Sequence, residues 1–300
     1  METQQNTIAD NEVFRTVIGL TPEEIAAHIT PFDHQLLKYF FLTMFGSFLI
    51  LLFIPAPYGK FRNSLDSLGI LSKKIDGRLG FFWQELPSVV VPFFVLFANI
   101  GKIDSLAFLF FLLWQTHYIQ RTFIYALIRM KSANQTTIMT SAMAFAFTSI
   151  NSYLTTKFAI FYPFYDPITV PKIARWFVGM MIFFIGLGGN IWADQVLLNL
   201  RNNNGQQSQP TEAYWKKIGK KKNFDQRTLR GQANPPQQGE KQYYIPKGPL
   251  YEFVSCPNYL CEIIEWIGLY ITFPTAAMLN FVVCTCLNLV PRALSTHKWY

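Results

Sequence analysis

LAFLFFLLWQTHYIQRTFIYALI, residues 106–128, sets the class of this chain. Its 23 residues exceed the roughly 20 that a helix needs to cross a hydrocarbon layer about 30 Å thick. The first nine, through Trp114, are wholly apolar, whereas the second half carries His117, Tyr118, Gln120 and Arg121. An ionisable group inside a span costs about 2.5–3.5 kcal/mol on insertion scales, so it points to a functional site by default. This stretch therefore reads as a membrane helix with chemistry at one end.

Six further apolar runs flank it: Leu36–Ile54, Leu79–Ile100, Thr137–Phe161, Trp176–Leu200, Tyr251–Phe273 and Ala276–Val290, the last bracketed by Pro274 and Pro291. Hydrophobic residues make up 51% of the 300 and charged ones only 15%, against about 25% charged in soluble domains. Such a composition excludes a nucleic-acid-binding module despite the net charge of +8, and excludes disorder as the main state. The expected fold is an all-α membrane protein, a seven-transmembrane-helix bundle.

Charge sets its orientation. With seven spans, the loops 55–78, 129–136 and 201–249 and the C-terminus share one side and hold 19 Lys and Arg. The other side holds Arg15, Lys38, Lys102, Lys172 and Arg175, with Lys157 leaning toward it. The basic side is the inside.

Residues 1–34 form a polar acidic extension with six acids and one base, Arg15, unlike a secretory signal or an Arg-rich presequence. Thr21, Pro22 and Glu24 mark a capping box for a short amphipathic helix there. Residues 35–300 are the membrane domain, with a basic low-complexity insertion at 201–249 that includes Lys216, Lys217 and Lys220–Lys222. That insertion and the N-terminal extension are the surfaces expected to meet anionic lipid or protein partners. The four cysteines lie in or beside apolar runs and the four histidines are scattered, so buried inert thiols and no metal site are expected.

Glu85, Arg121, Asp194, Glu262 and Glu265, with Tyr118, Asn190 and Asn258, fall toward the basic side of four spans. They imply a polar cavity opening to that face. Helix-gluing hydrogen bonds with one buried pair of Arg121 and a carboxylate, or a transport path, are the other readings of the same residues. The run Gly186-Leu187-Gly188-Gly189 suits close helix packing at least as well as phosphate contact.

Several ordered blocks resemble the steroid 5α-reductase family. They are Gln84-Glu85-Leu86-Pro87-Ser88, His117-Tyr118-x-x-Arg121-Thr122-Phe123-x-Tyr125, Gly188-x-Asn190-x-x-x-Asp194, and Tyr243-x-Ile245-Pro246-x-Gly248 followed by Asn258-x-x-x-Glu262-Ile263-Ile264-Glu265-Trp266. The resemblance runs from about Tyr58 to Tyr300, and Cys256-Pro257-Asn258-Tyr259 is similar to the enoyl-CoA reductase branch of that superfamily. It implies a seven-helix reductase that uses NADPH to reduce a carbon–carbon double bond conjugated to a carbonyl, in a 3-oxo-Δ4-steroid or other lipid enone. Hydride reaches the β carbon and a proton the α carbon. Negative charge then grows on the carbonyl oxygen, so donors must await it. The resemblance gives that role to Glu85 and Tyr118, since a carboxyl in apolar surroundings can stay protonated. It places Asn190, Asp194, Arg201, Tyr243, Asn258, Glu262 and Tyr300 around NADPH, and Trp266 near the substrate. The endoplasmic reticulum is the membrane it implies, the mitochondrial inner membrane being the alternative, with the C-terminus cytosolic or in the matrix.

The chain also departs from the family. Ile128-Arg129-Met130-Lys131-Ser132 stands where the family carries a more basic run, a further family arginine is replaced near Ser141, and the 201–239 loop is long. These departures define the alternative function: a reductase-like fold serving as an accessory subunit of a membrane complex.

Overall fold

The computed structural model describes residues 27–53, 73–103, 105–131, 135–161, 169–202 and 245–299; Lys102, Arg201, Asn202 and Trp299 are described by their backbone only. The expectations placed on Thr21–Glu24, on most of the N-terminal extension and on the basic insertion at 203–244 lie outside these residues, as do Tyr243, Tyr300 and the side chain of Arg201.

Among the described residues, seven long helical segments occupy the seven expected positions. Helix α1 spans Pro31–Phe53 and α2 spans Gly77–Ala98. Helix α3 spans Ser105–Ile119 and continues as a π-helix over Gln120–Arg129. Then come α4 (Ile138–Ile160), α5 (Val170–Asn202), α6 (Pro257–Thr272) and α7 (Ala276–Trp299). Four of them, α1, α2, α5 and α7, are long and apolar enough to cross a membrane by themselves. The chain is thus a multi-pass integral membrane protein. Of the others, α3 gives way to the π-helix after 15 residues and α6 has 16.

Local signals explain most boundaries. Helix α1 starts five residues before the expected Leu36 because Thr30 and Asp33 form a reciprocal cap. The Thr30 backbone N–H donates to Asp33 Oδ2 at 2.7 Å, and the Asp33 N–H donates to Thr30 Oγ1 at 3.4 Å. Pro31 takes the first helical position. Asp76 caps α2, accepting from the N–H of Arg78 and Leu79, and Thr137 caps α4. Helix α6 begins at Pro257, not at the expected Tyr251, because Pro257 suits a helix start and residues 251–253 form a turn. Helix α7 runs on to Trp299 instead of stopping at Val290, so Pro291 lies inside it. Membrane helices accommodate an internal proline when neighbours support the freed groups.

Surface and core confirm the solvent. In α1 only Asp33 and Phe40 are buried, and Phe53, Phe94, Phe97 and Ile185 project outward from the bundle. Inside, Phe110, Trp114, Phe183, Trp266, Phe273, Met278 and Phe281 form one continuous core. A two-residue antiparallel ladder, Lys74 opposite Thr137 and Ile75 opposite Thr136, joins the starts of α2 and α4. At the opposite end, Lys157 of α4 reaches the buried Asp33 of α1 at 2.7 Å, and the Tyr153 hydroxyl donates to Asp33 Oδ1 at 2.8 Å.

Candidate active site

The site begins with a glycine seam between antiparallel helices α5 and α6. A β carbon on Gly186 would meet the backbone of Glu265, with its Cα at 2.6 Å, and the Cys261 carbonyl oxygen at 2.7 Å. One on Gly268 would meet the backbone of Phe183 and Gly179, and one on Gly189 would meet Cys261 Sγ at 2.6 Å. Only hydrogen fits there, so the two backbones approach as small-residue membrane interfaces allow. The glycine run is helix packing; Gly188 alone faces open space.

This register fixes the polar rungs one turn further on. The Asn190 amide donates to the Asn258 carbonyl at 2.9 Å and to Glu262 Oε2 at 3.4 Å. The Asn258 amide donates to Asp194 Oδ1 at 3.1 Å. Four of the expected cofactor residues, separated by up to 72 positions in sequence, thus form one connected group.

Arg121 joins that group to Glu85. Its guanidinium lies 3.6 Å from Glu85 Oε1, 3.5 Å from Asp194 Oδ2 and 3.4 Å from Glu262 Oε2. The single expected ion pair is therefore three carboxylates, from α2, α5 and α6, gathered on one cation from the π-helix. Phe81 and Tyr125 present their rings to the same guanidinium at 5.3 and 6.0 Å. The contacts are longer than the 2.7–2.9 Å of tight charge-assisted bonds, so the carboxylate oxygens keep acceptor capacity for other donors.

Two devices place Glu85 and Tyr118 together. Pro92 has no N–H for the carbonyl of Ser88, and Trp114 Nε1 donates to that carbonyl instead, at 2.9 Å. Gln115 likewise donates to the Val89 carbonyl at 3.0 Å. These bonds lock α2 to α3 one turn from Glu85 and one turn from Tyr118. Tyr118 is buried there, its ring packed on Trp114 with centroids 4.8 Å apart. The π-helix then carries Arg121 into the cluster, and it is pinned at its far end. Arg78 donates to the Leu127 carbonyl at 2.8 Å, while Arg129 donates to Gln195 Oε1 at 2.8 Å and to the Ile191 carbonyl at 3.0 Å. π segments recur at functional sites.

Trp266 is 1% exposed and packs among Trp114, His117, Tyr118, Phe183 and Phe281; its plane stacks on Tyr118 at 5.8 Å. It lies behind the phenol, inside the core. The bonds of Arg129 and the pair of His117 with Glu265, 2.8 Å apart and fully buried, escape the sequence reading. The available signal for the pair was two ionisable groups, each inside an expected span and each within a quoted block.

The sequence matches the family model described as 3-oxo-5-alpha-steroid 4-dehydrogenase over residues 134–224 and 218–300. Among curated relatives, Steroid 5-alpha-reductase DET2 of Solanum lycopersicum is 33% identical over 273 residues, 87% of each chain. The Arabidopsis thaliana protein of the same name is 28% identical over 292 residues, 93% of this chain and 92% of its own. The 3-oxo-5-alpha-steroid 4-dehydrogenase 1 of Mus musculus is 27% identical over 266 residues, 85% of each.

Proposed function

Because the chain belongs to the steroid 5α-reductase (3-oxo-5-alpha-steroid 4-dehydrogenase) family of oxidoreductases acting on CH–CH groups, we propose that it reduces the carbon–carbon double bond of an α,β-unsaturated lipid carbonyl of the 3-oxo-Δ4-steroid class, with NADPH as reductant. The observation that carries this reading is the single network in which Arg121 joins Glu85 to Asp194 and Glu262, with Asn190 and Asn258 bonded into it.

The residues present suit the cofactor. Asn190, Asp194, Asn258 and Glu262 offer amide donors and carboxylate acceptors of the kind that ribose hydroxyls and a carboxamide require. Arg78, Arg129, Lys131 and Arg292 stand at the same end of the bundle, where phosphates need cations. Arg201, Tyr243 and Tyr300 complete the proposed set. When bound, NADPH supplies the hydride.

The protein's own part is electrostatic. Three carboxylates exceed the charge that Arg121 balances. A proton held on Glu85 relieves their repulsion and makes that carboxyl a hydrogen-bond donor. Glu85 and the Tyr118 phenol then both point donors at the oxygen where negative charge grows, in a site with little water to compete. Trp266 forms the apolar back of the site behind Tyr118. The proposal includes seven crossings, with the site toward the basic face of the bundle and that face cytosolic in the endoplasmic reticulum membrane.

The test is NADPH titration of the purified protein beside an enone-reduction assay. Asp194→Ala should weaken NADPH binding, and Glu85→Gln should spare binding while abolishing reduction. A folded sample that binds no NADPH at millimolar concentration refutes the reductase reading and favours a non-catalytic subunit of a membrane complex.

A further inference from the structure

Beneath the Arg121 cluster lies a second ionisable pair that the reaction scheme leaves unused. His117 Nδ1 lies 2.8 Å from Glu265 Oε1, with side chains 1% and 0% exposed. The partners come from α3 and α6 and are 148 residues apart. In so dry a place a net charge is costly, so the pair holds one shared proton, as imidazolium with carboxylate or as imidazole with carboxylic acid.

Its position explains its use. His117 precedes Tyr118 in the chain, and its ring meets the phenol edge-on, with centroids 4.8 Å apart and planes at 74°. Glu265 precedes Trp266, whose ring lies 4.4 Å from His117 and stacks on Tyr118. The Glu265 backbone is fixed by the Gly186 contact. One turn further along each helix stands a second rung, Arg121 with Glu262 at 3.4 Å. The two rungs set the rotation of α3 about its axis. Without the lower rung, the turn of α3 that carries Tyr118 loses its tie to α6 between the Trp114 and Gln115 bonds on one side and the Arg121 rung on the other, and the phenol can shift between them.

We propose that His117 and Glu265 are the positioning pair of the reductase, a buried hydrogen-bonded clamp that aims the Tyr118 phenol at the substrate carbonyl. The proposal rests on the reductase reading and adds to it two residues that act through Tyr118.

The experiment compares broken with conserved pairs in the full chain, in detergent or lipid. His117→Leu and Glu265→Leu break the bond and should each lower kcat by about tenfold to hundredfold, the effect of roughly 1 Å of misplacement, with KM for the enone and Kd for NADPH little changed. The double variant should be no worse than either single one. His117→Asn sets an amide nitrogen near the place of Nδ1, and Glu265→Gln keeps an acceptor; both should recover most of kcat. Glu265→Asp, which draws the carboxyl back by one methylene, covers the case in which leucine prevents folding, and should show the same loss. Variants that melt earlier yet turn over at the wild-type kcat per NADPH-binding molecule would show a merely structural role and overturn the proposal alone. A wild-type protein that neither binds NADPH nor reduces an enone overturns the proposal together with the reading beneath it.

Discussion

Adding one methyl group at Gly186 should damage the site from outside it. In Gly186→Ala the new β carbon would lie 2.6 Å from Glu265 Cα and 2.7 Å from the Cys261 carbonyl oxygen. Ordinary contacts are about 3.5–4.0 Å, so roughly 1 Å must be found. The obstructing atoms are backbone and cannot rotate aside, so α5 and α6 must part. Overpacking of this kind costs about 1–3 kcal/mol. The same parting stretches the Asn190–Asn258 and Asn258–Asp194 bonds, now 2.9 and 3.1 Å, to about 4 Å, beyond hydrogen-bonding range. Each buried amide left unsatisfied costs about 1–3 kcal/mol, so NADPH should bind roughly tenfold to hundredfold more weakly. Gly188→Ala is the control two residues away: nothing lies within 4 Å of its added carbon, and its stability should be no lower than wild type, with a gain of up to about 1 kcal/mol from the better helix former. Thermal unfolding in detergent and NADPH titration read both effects. Equal melting temperatures and equal NADPH affinities for the two alanine variants would refute the claim that the glycine seam sets the site's register.

Other outcomes follow from single contacts. Arg121→Met leaves Glu85, Asp194 and Glu262 clustered without their cation; unfolding should fall by about 3 kcal/mol or more, and Glu85→Gln in the same chain should restore part of it. Trp114→Phe removes the donor that satisfies the Ser88 carbonyl beside Pro92 and should cost about 1–3 kcal/mol, measured by thermal unfolding. Lys157→Met strands the buried Asp33; the loss should be about 3 kcal/mol, and Asp33→Asn in the same chain should recover most of it, as a double-mutant cycle would show.

Much of the candidate site was legible because the cost of burying charge in an apolar helix is local. Glu85, Arg121, Asp194 and Glu262 stood out for that reason alone, and the structure gathers all four. The Asp33–Lys157 bond did not stand out, because each residue lies near a helix end, where a charge is ordinary. The Thr30–Asp33 cap repeats the Thr-Pro start of the Thr21–Glu24 pattern nine residues earlier but closes with aspartate in place of the usual glutamate, so its local signal is the weaker of the two.

By itself the sequence determined the solvent and the elements. The length of an apolar run is compared with the thickness of the bilayer, a fixed external quantity, and needs no knowledge of neighbours. Four helices meet that standard outright, and all seven expected positions are helical. Only the tertiary structure decided the partners: that Arg121 serves three carboxylates, that His117 meets Glu265, and that α3 loosens into a π-helix before Arg121. Pairing depends on how far each helix is turned and how closely it approaches the next. Those quantities are set where Gly179, Gly186 and Gly189 meet Thr272, Glu265, Gly268 and Cys261, contacts between segments about 70 to 90 residues apart that no local pattern encodes.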